Sequence, residues 1–297
     1  MKKLSVLLII ITGTLWGIIG IFVRHFQELS LDSLQIVLIR VGISCVIFTL
    51  FLLFYDRKLF VIKLKDLWCF LGTGVISLAM FSFSYFKAID LASLSVAAVL
   101  LYTAPTFVMI FSVIFFKERL TLQKGISIVL AFLGCCFVAG IFSGEMNVTL
   151  YGILFGLLSG ICYALYSIFS RVAIDKGYSP LTVTLYTFIF ATASVLLVTD
   201  VKPIVNIVKA DTNEIWICLL FAVLSCVLPY LTYTLALKNI RASTASVIAS
   251  VEPVVATIVG ALFFSEQIDI FGYIGIFLVL LSIVLVNINI KSKAALE

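Results

Sequence analysis

Apolar runs alternate with short polar or charged breaks along almost the whole chain, near 4–23, 34–54, 67–88, 93–116, 122–141, 150–170, 180–199, 215–237, 242–264 and 269–289. Each run approaches the ~20 residues that an α-helix needs to cross a hydrocarbon layer about 30 Å thick. The pattern predicts an all-α membrane protein of ten transmembrane helices, and the breaks leave no room for a soluble domain.

Composition agrees. Hydrophobic residues are 63% of the 297, charged residues 12%, and the mean hydropathy is +1.26, whereas soluble domains hold roughly 45–50% apolar residues. Lys2 and Lys3 precede the uncharged run from Leu4 to Val23. That run is longer than the ~7–15 residues of a signal-peptide core and has no small-x-small cleavage site after it, so it is expected to remain as helix 1. Ala294-Ala295-Leu296-Glu297 reads as a cloning scar.

The net charge of +5 matters less than where the charges lie. Lys2, Lys3, Arg57, Lys58, Lys63, Lys65, Lys117, Arg119, Lys124, Arg171, Lys176, Lys238, Arg241, Lys291 and Lys293 fall at alternate breaks, on the side of the N-terminus. Only Arg24, Lys87, Lys202 and Lys209 fall on the other side, and Arg40 lies inside helix 2. The positive-inside rule then places both termini in the cytoplasm of a multi-pass inner-membrane protein. The lipid bilayer is the expected partner, and nucleic acid is not.

The second half echoes the first at an offset of 147–148 residues. Trp16 through Arg24 aligns with Tyr163 through Arg171, Leu34 with Leu181, Tyr85 and Ala88 with Tyr233 and Ala236, and Pro105 with Pro253. Phe115-Phe116-Lys117-Glu118 aligns with Phe263-Phe264-Ser265-Glu266. Residues 1–142 and 150–290 thus read as five-helix repeats joined by an external linker at 143–149. Five is odd, so the second copy enters the membrane from the opposite side, and two inverted repeats can exchange outward-open and inward-open states around one site.

With Arg40 early in helix 2, the Ala104-Pro105 and Glu252-Pro253 pairs, and Phe-Phe-x-Glu ending helices 4 and 9, the chain resembles the EamA-type transporters of the drug/metabolite transporter superfamily over 4–289. The resemblance implies helices 1–4 and 6–9 around a central cavity with helices 5 and 10 to one side. It also implies a carrier of amino acids, nucleobases, cofactors, sugars or amines.

Glu252 lies about 15 Å into helix 9, near the bilayer midplane, where an ionised carboxylate costs several kcal/mol unless it faces the interior or a watered cavity. It is the candidate for substrate binding and for coupling to protons; a structural carboxylate is the other reading. Pro253 frees the carbonyl of Ala249 and Pro105 that of Leu101, which marks both as coupling or gating positions. Arg40, about 9 Å below the outer surface, is assigned to gating, with contact to an anionic substrate group as the alternative; its repeat partner is Thr187.

Trp16, Tyr85, Tyr102, Tyr163, Tyr166, Tyr186, Tyr230 and Tyr233 are aromatics with polar handles deep in the runs, where their hydroxyl or indole groups need partners. Trp16, Tyr85, Tyr102, Tyr163, Tyr166 and Tyr233, with Glu252, form the expected substrate-lining set. Stacking and cation–π contacts there suit flat or cationic solutes. Gly13, Gly17, Gly152, Gly156 and Gly160 repeat at four-residue spacing for close helix contact, within or between protomers.

The seven cysteines lie within apolar runs, without CxxC spacing or paired histidines, so neither disulfide nor metal is expected. Asn147-Val148-Thr149 matches a glycosylation sequon by chance. With no HExxH, nucleophile elbow or phosphate-binding glycine loop, an enzyme is not expected, nor is a cofactor. The expected function is a secondary transporter exporting small organic metabolites, amino acids or related amines and aromatics, by alternating access with proton coupling. An importer of a small cationic or zwitterionic solute, or a passive channel, is the alternative.

Overall fold

A computed structural model describes residues 2–92, 94–139, 149–265 and 269–294. Residues 143–148 of the expected linker, Asn147 and Val148 of the sequon, Glu266 of the second Phe-Phe-x-Glu and residues 295–297 lie outside the described residues.

Among the described residues, seven helices are long and apolar enough to cross a membrane: α1 (Lys2–Glu28), α2 (Ser33–Tyr55), α3 (Leu64–Leu91), α4 (Val96–Phe116), α6 (Leu150–Asp175), α8 (Glu214–Leu237) and α9 (Ala242–Phe264). Three shorter apolar helices accompany them, α5 (Leu122–Val138), α7 (Pro180–Leu196) and the Ile270–Val286 part of α10 (Ile270–Ala294). The chain is a multi-pass, all-helical membrane protein.

Helix starts follow local chemistry. Asp32 and Gln35 form a reciprocal capping box at α2. Thr121 and Thr149 accept the backbone N–H three residues on at α5 and α6, and Ser179 precedes Pro180 at α7, each satisfying donors that the first turn leaves free. α4 and α9 both end in a left-handed residue, Lys117 at φ 52° and Ser265 at φ 54°, 148 positions apart.

The predicted runs need two corrections. α1 continues to Glu28, so Arg24 sits on its last turns rather than in a loop. A further amphipathic helix, Lys202–Ala210, occupies a stretch taken as a polar connection. Its Ile204 and Ile207 pack on the cluster of Phe26, Ile36 and Phe221, so the apolar face of this amphipathic helix is buried against the bundle. Three long helices are interrupted: α1 at Ile18, α4 at Tyr102 and Thr103, α9 at Ser250. α3 and α8 contain π-helical stretches, Gly72–Met80 and Val223–Val227.

Packing crosses between the first five helices and the second five. α1 lies against α8 and α9, α6 against α3 and α4, α2 against α7 and α8, α3 against α7, α4 against α9, and α5 against α10. α5 also touches α9; apart from that contact, the pairs are unchanged when the two groups of five are exchanged. Glycine makes the closest crossings possible. A Cβ on Gly13 would lie 2.5 Å from Val251 and 3.1 Å from the Ala249 carbonyl, and one on Gly160 would lie 2.8 Å from Thr103 Oγ1 and 2.9 Å from the Leu100 carbonyl. α1 therefore crosses the break in α9, and α6 the break in α4. Gly134 and Gly275 bring α5 and α10 together in the same way.

Candidate functional site

Trp16, buried on α1, is the centre of an aromatic cluster. Its ring centroid lies 5.8 Å from Tyr163 on α6 and 5.6 and 5.7 Å from Tyr230 and Tyr233 on α8. Most of these contacts are edge-on or tilted, the arrangement that the ring quadrupoles favour. The phenol hydroxyls point to fixed partners: Tyr166 pairs with Thr234 Oγ1 at 2.8 Å and Tyr233 with Ser167 Oγ at 2.7 Å. Thr12, one turn before Trp16, meets Thr232 of α8 at 2.7 Å.

Tyr163 joins this cluster to the carboxylate. Its hydroxyl donates to Glu252 Oε2 at 3.2 Å, and Phe81 of α3 packs on its ring at 5.6 Å while stacking on Tyr85 at 5.9 Å. Glu252 stands in the first turn after the break in α9, beside buried Pro253. Pro105 holds the equivalent place after the break in α4. Tyr85 and Tyr102 are half-buried and within electrostatic reach of Glu252.

Arg40 differs from its surroundings. Its charge reaches Tyr230, Cys226 and Glu252. Among the described residues it has no hydrogen-bond or ion-pair partner, and its Nε is buried. Thr187, at the matching place on α7, is by contrast satisfied by Thr73 Oγ1 and the Val183 carbonyl, both at 2.8 Å.

The structure thus brings together Trp16, Tyr163, Tyr166, Tyr233 and Glu252, with Tyr85 and Tyr102 at the edge. Tyr230 and Phe81 complete the cluster although neither stood in the expected lining set. Phe81 carried a signal, lying four residues before Tyr85 on one face of α3. Tyr186 is elsewhere, donating to the Phe60 carbonyl at 2.7 Å.

Polar ties close the two ends of the bundle. At one end Lys176 Nζ meets Asp66 Oδ1 at 2.6 Å and Tyr178 donates to Asp66 Oδ2 at 2.9 Å. The Asp66 carboxylate raises the Lys176 ammonium above the ordinary lysine range, so the bridge stays charged at neutral pH. At the same end Lys124 Nζ lies 2.8 Å from Glu118 Oε2 and 2.9 Å from Ser243 Oγ, and Ser243 donates to Glu118 at 2.6 Å. Glu118 is the acid of Phe-Phe-Lys-Glu, but nothing in the sequence points to Ser243, 125 positions away. At the other end His25 Nε2 sits 2.9 Å from Glu214 Oε2, and the Arg24 guanidinium lies 3.9 Å from the centre of the Phe264 ring.

The profile of the EamA-like transporter family matches this chain twice, over residues 3–140 and 150–288. The chain belongs to the EamA-like transporter family. Proteins similar to it include an uncharacterised transporter of Archaeoglobus fulgidus, 28% identical over 96% of this chain and 99% of that protein. Another is the threonine/homoserine exporter RhtA of Salmonella typhimurium, 28% identical over 65% of this chain and 62% of the exporter. A solved crystal structure shares the fold at a TM-score of 0.80, with 14% identity and 99% of both chains covered. A small-molecule transporter of this family agrees with a bundle whose buried polar and aromatic groups converge from α1, α3, α6, α8 and α9.

Proposed function

We propose that this EamA-family protein is a secondary transporter that exports small organic metabolites, amino acids or related amines and aromatics, across the cytoplasmic membrane by alternating access. Ten spans form two inverted five-helix repeats, 1–142 and 150–290, with both termini cytoplasmic. Three observations support that layout: the nearly exchange-symmetric helix pairing, the matched left-handed ends at Lys117 and Ser265, and the family profile occurring twice. Threonine/homoserine export by a relative supports an amino-acid-like cargo.

The observation that carries the reading is the Tyr163–Glu252 hydrogen bond beside the break in α9, against the ring of Trp16. The site draws on helices of both halves, so relative rocking of the halves would open it to one side or the other. Trp16, Tyr85, Tyr102, Tyr163, Tyr166 and Tyr233 line it. Glu252 binds substrate and a proton in alternation, and Arg40, Pro105 and Pro253 belong to the gating elements.

Reconstitution tests this reading. Purified protein in proteoliposomes, screened with labelled amino acids, amines, nucleosides and vitamins, is expected to give saturable uptake stimulated by unlabelled solute on the opposite side. Non-saturable flux without such counterflow would identify a pore and overturn the carrier.

A further inference from the structure

The aromatic cluster holds two opposite charges that do not neutralise each other. Arg40 and Glu252 interact electrostatically, yet no ion pair within 4.0 Å joins them. Glu252 uses Oε2 for the Tyr163 hydroxyl, and no hydrogen bond reaches Oε1 among the described residues. Arg40 presents five N–H donors in a rigid fork, makes no hydrogen bond among the described residues, and has its Nε buried. A buried donor without an acceptor is costly, and more so when it carries charge.

Arg40 stands on a face of α2 that is largely buried. On α2 its neighbours Val37 and Val41 are buried, and Ser44 one turn on is tied to the Ala222 carbonyl at 3.1 Å. Tyr230, which feels the Arg40 charge, contacts Trp16, so guanidinium and carboxylate flank one set of rings. Thr187 provides no matching charge on α7, which leaves the cluster polarised, positive toward α2 and negative toward α9.

We propose that Arg40 and Glu252 are the two poles of a zwitterion site, with Arg40 binding the carboxylate of an α-amino acid and Glu252 its ammonium. This rests on the transporter reading above and narrows its cargo. The fork of Arg40 matches a carboxylate bidentately, the open Oε1 of Glu252 accepts from the ammonium, and the amino-acid side chain rests on Trp16 and Tyr163. A simple amine would leave the guanidinium unpaired, and a simple acid would leave Glu252 so. Only a solute bearing both charges satisfies both poles. Arg40 is then a specificity residue in contact with substrate.

The test is competition in counterflow by the full chain in proteoliposomes, using a solute that the panel above shows to be carried. L-Threonine and L-phenylalanine compete against phenethylamine, which lacks the carboxylate, and L-phenylalanine methyl ester, in which it is masked. L-Phenylalanine is expected to compete at least about tenfold better than its amine and ester. Arg40→Gln should abolish that preference while phenethylamine still competes, and Arg40→Lys should keep part of it. Should Arg40→Gln fail to fold, the wild-type comparison and Arg40→Lys decide. Equal competition by amine, ester and amino acid would overturn the proposal, as would competition by none of the four against a carried solute; both leave the transporter reading standing. Absence of saturable flux for every solute would overturn that reading itself.

Discussion

Tyr163 on α6 and Glu252 on α9 are 89 positions apart in sequence and joined by one hydrogen bond of 3.2 Å. That contact ties the carboxylate to the aromatic cluster and separates a coupling role from a structural one. Glu252→Gln keeps the shape and accepts from Tyr163 but cannot titrate. It is expected to bind substrate more weakly, since its amide oxygen still accepts from an ammonium but carries no opposite charge, to retain exchange at high substrate concentration, and to lose accumulation driven by a pH gradient in proteoliposomes. Full gradient-driven transport by this variant would make Glu252 structural only.

Aromatic truncation separates a lined site from general packing. Trp16→Ala and Tyr163→Ala are expected to weaken substrate binding by about tenfold or more, because each removes a face worth about 1 kcal/mol or more beyond its burial. Tyr273→Ala on α10, where the ring is 59% exposed, should leave binding unchanged. Binding isotherms at matched thermal stability check this, and equal losses at all three positions would mean general destabilisation.

Close crossings make two glycines of α1 unequal. A Cβ on Gly17 would lie 2.7 Å from the Glu252 carbonyl and 2.6 Å from Val255 Cβ, whereas one on Gly20 meets nothing within 4 Å. Gly17→Ala is expected to cost about 1–3 kcal/mol through forced separation of α1 from α9. Gly20→Ala should be neutral or stabilising by up to about 1 kcal/mol through helix propensity. Thermal unfolding in detergent measures both.

Glu118 and Lys124 are close to nine-tenths buried and share Ser243. Removing one partner leaves an uncompensated charge, at about 3–5 kcal/mol, whereas removing both costs less. Lys124→Met is therefore expected to lower the melting temperature more than Lys124→Met with Glu118→Gln. An additive double variant would show that the two charges do not act as a pair.

Orientation is accessible to labelling. In a cysteine-free background, Asp211→Cys is expected to react with an impermeant maleimide added outside cells, and Lys63→Cys only after permeabilisation. The reverse pattern would overturn both the proposed orientation and the inverted arrangement.

The sequence by itself determined that the chain is a helical membrane protein, roughly where its helices lie and which residues echo one another. Hydrophobic length is read residue by residue, and duplication leaves a fixed offset. It also pointed to Glu252 and to most of the aromatic cluster, because a carboxylate or phenol deep in an apolar run needs a partner whatever the fold. Only the tertiary structure decided which partner each has. Trp16 meets Tyr230 and Tyr233 because α1 crosses α8, its ring reaches Tyr163 of α6 across the cluster, and the glycine crossings bring α1 against the break in α9. Ser243 joins Glu118 and Lys124 for the same reason, since crossing geometry depends on every side chain between two backbones. The helix Lys202–Ala210 was illegible because nine residues with polar positions look like a loop until an apolar surface is there to receive Ile204 and Ile207. Likewise, Arg40 reads in sequence as one charge near a helix end, and only its surroundings leave it without a partner.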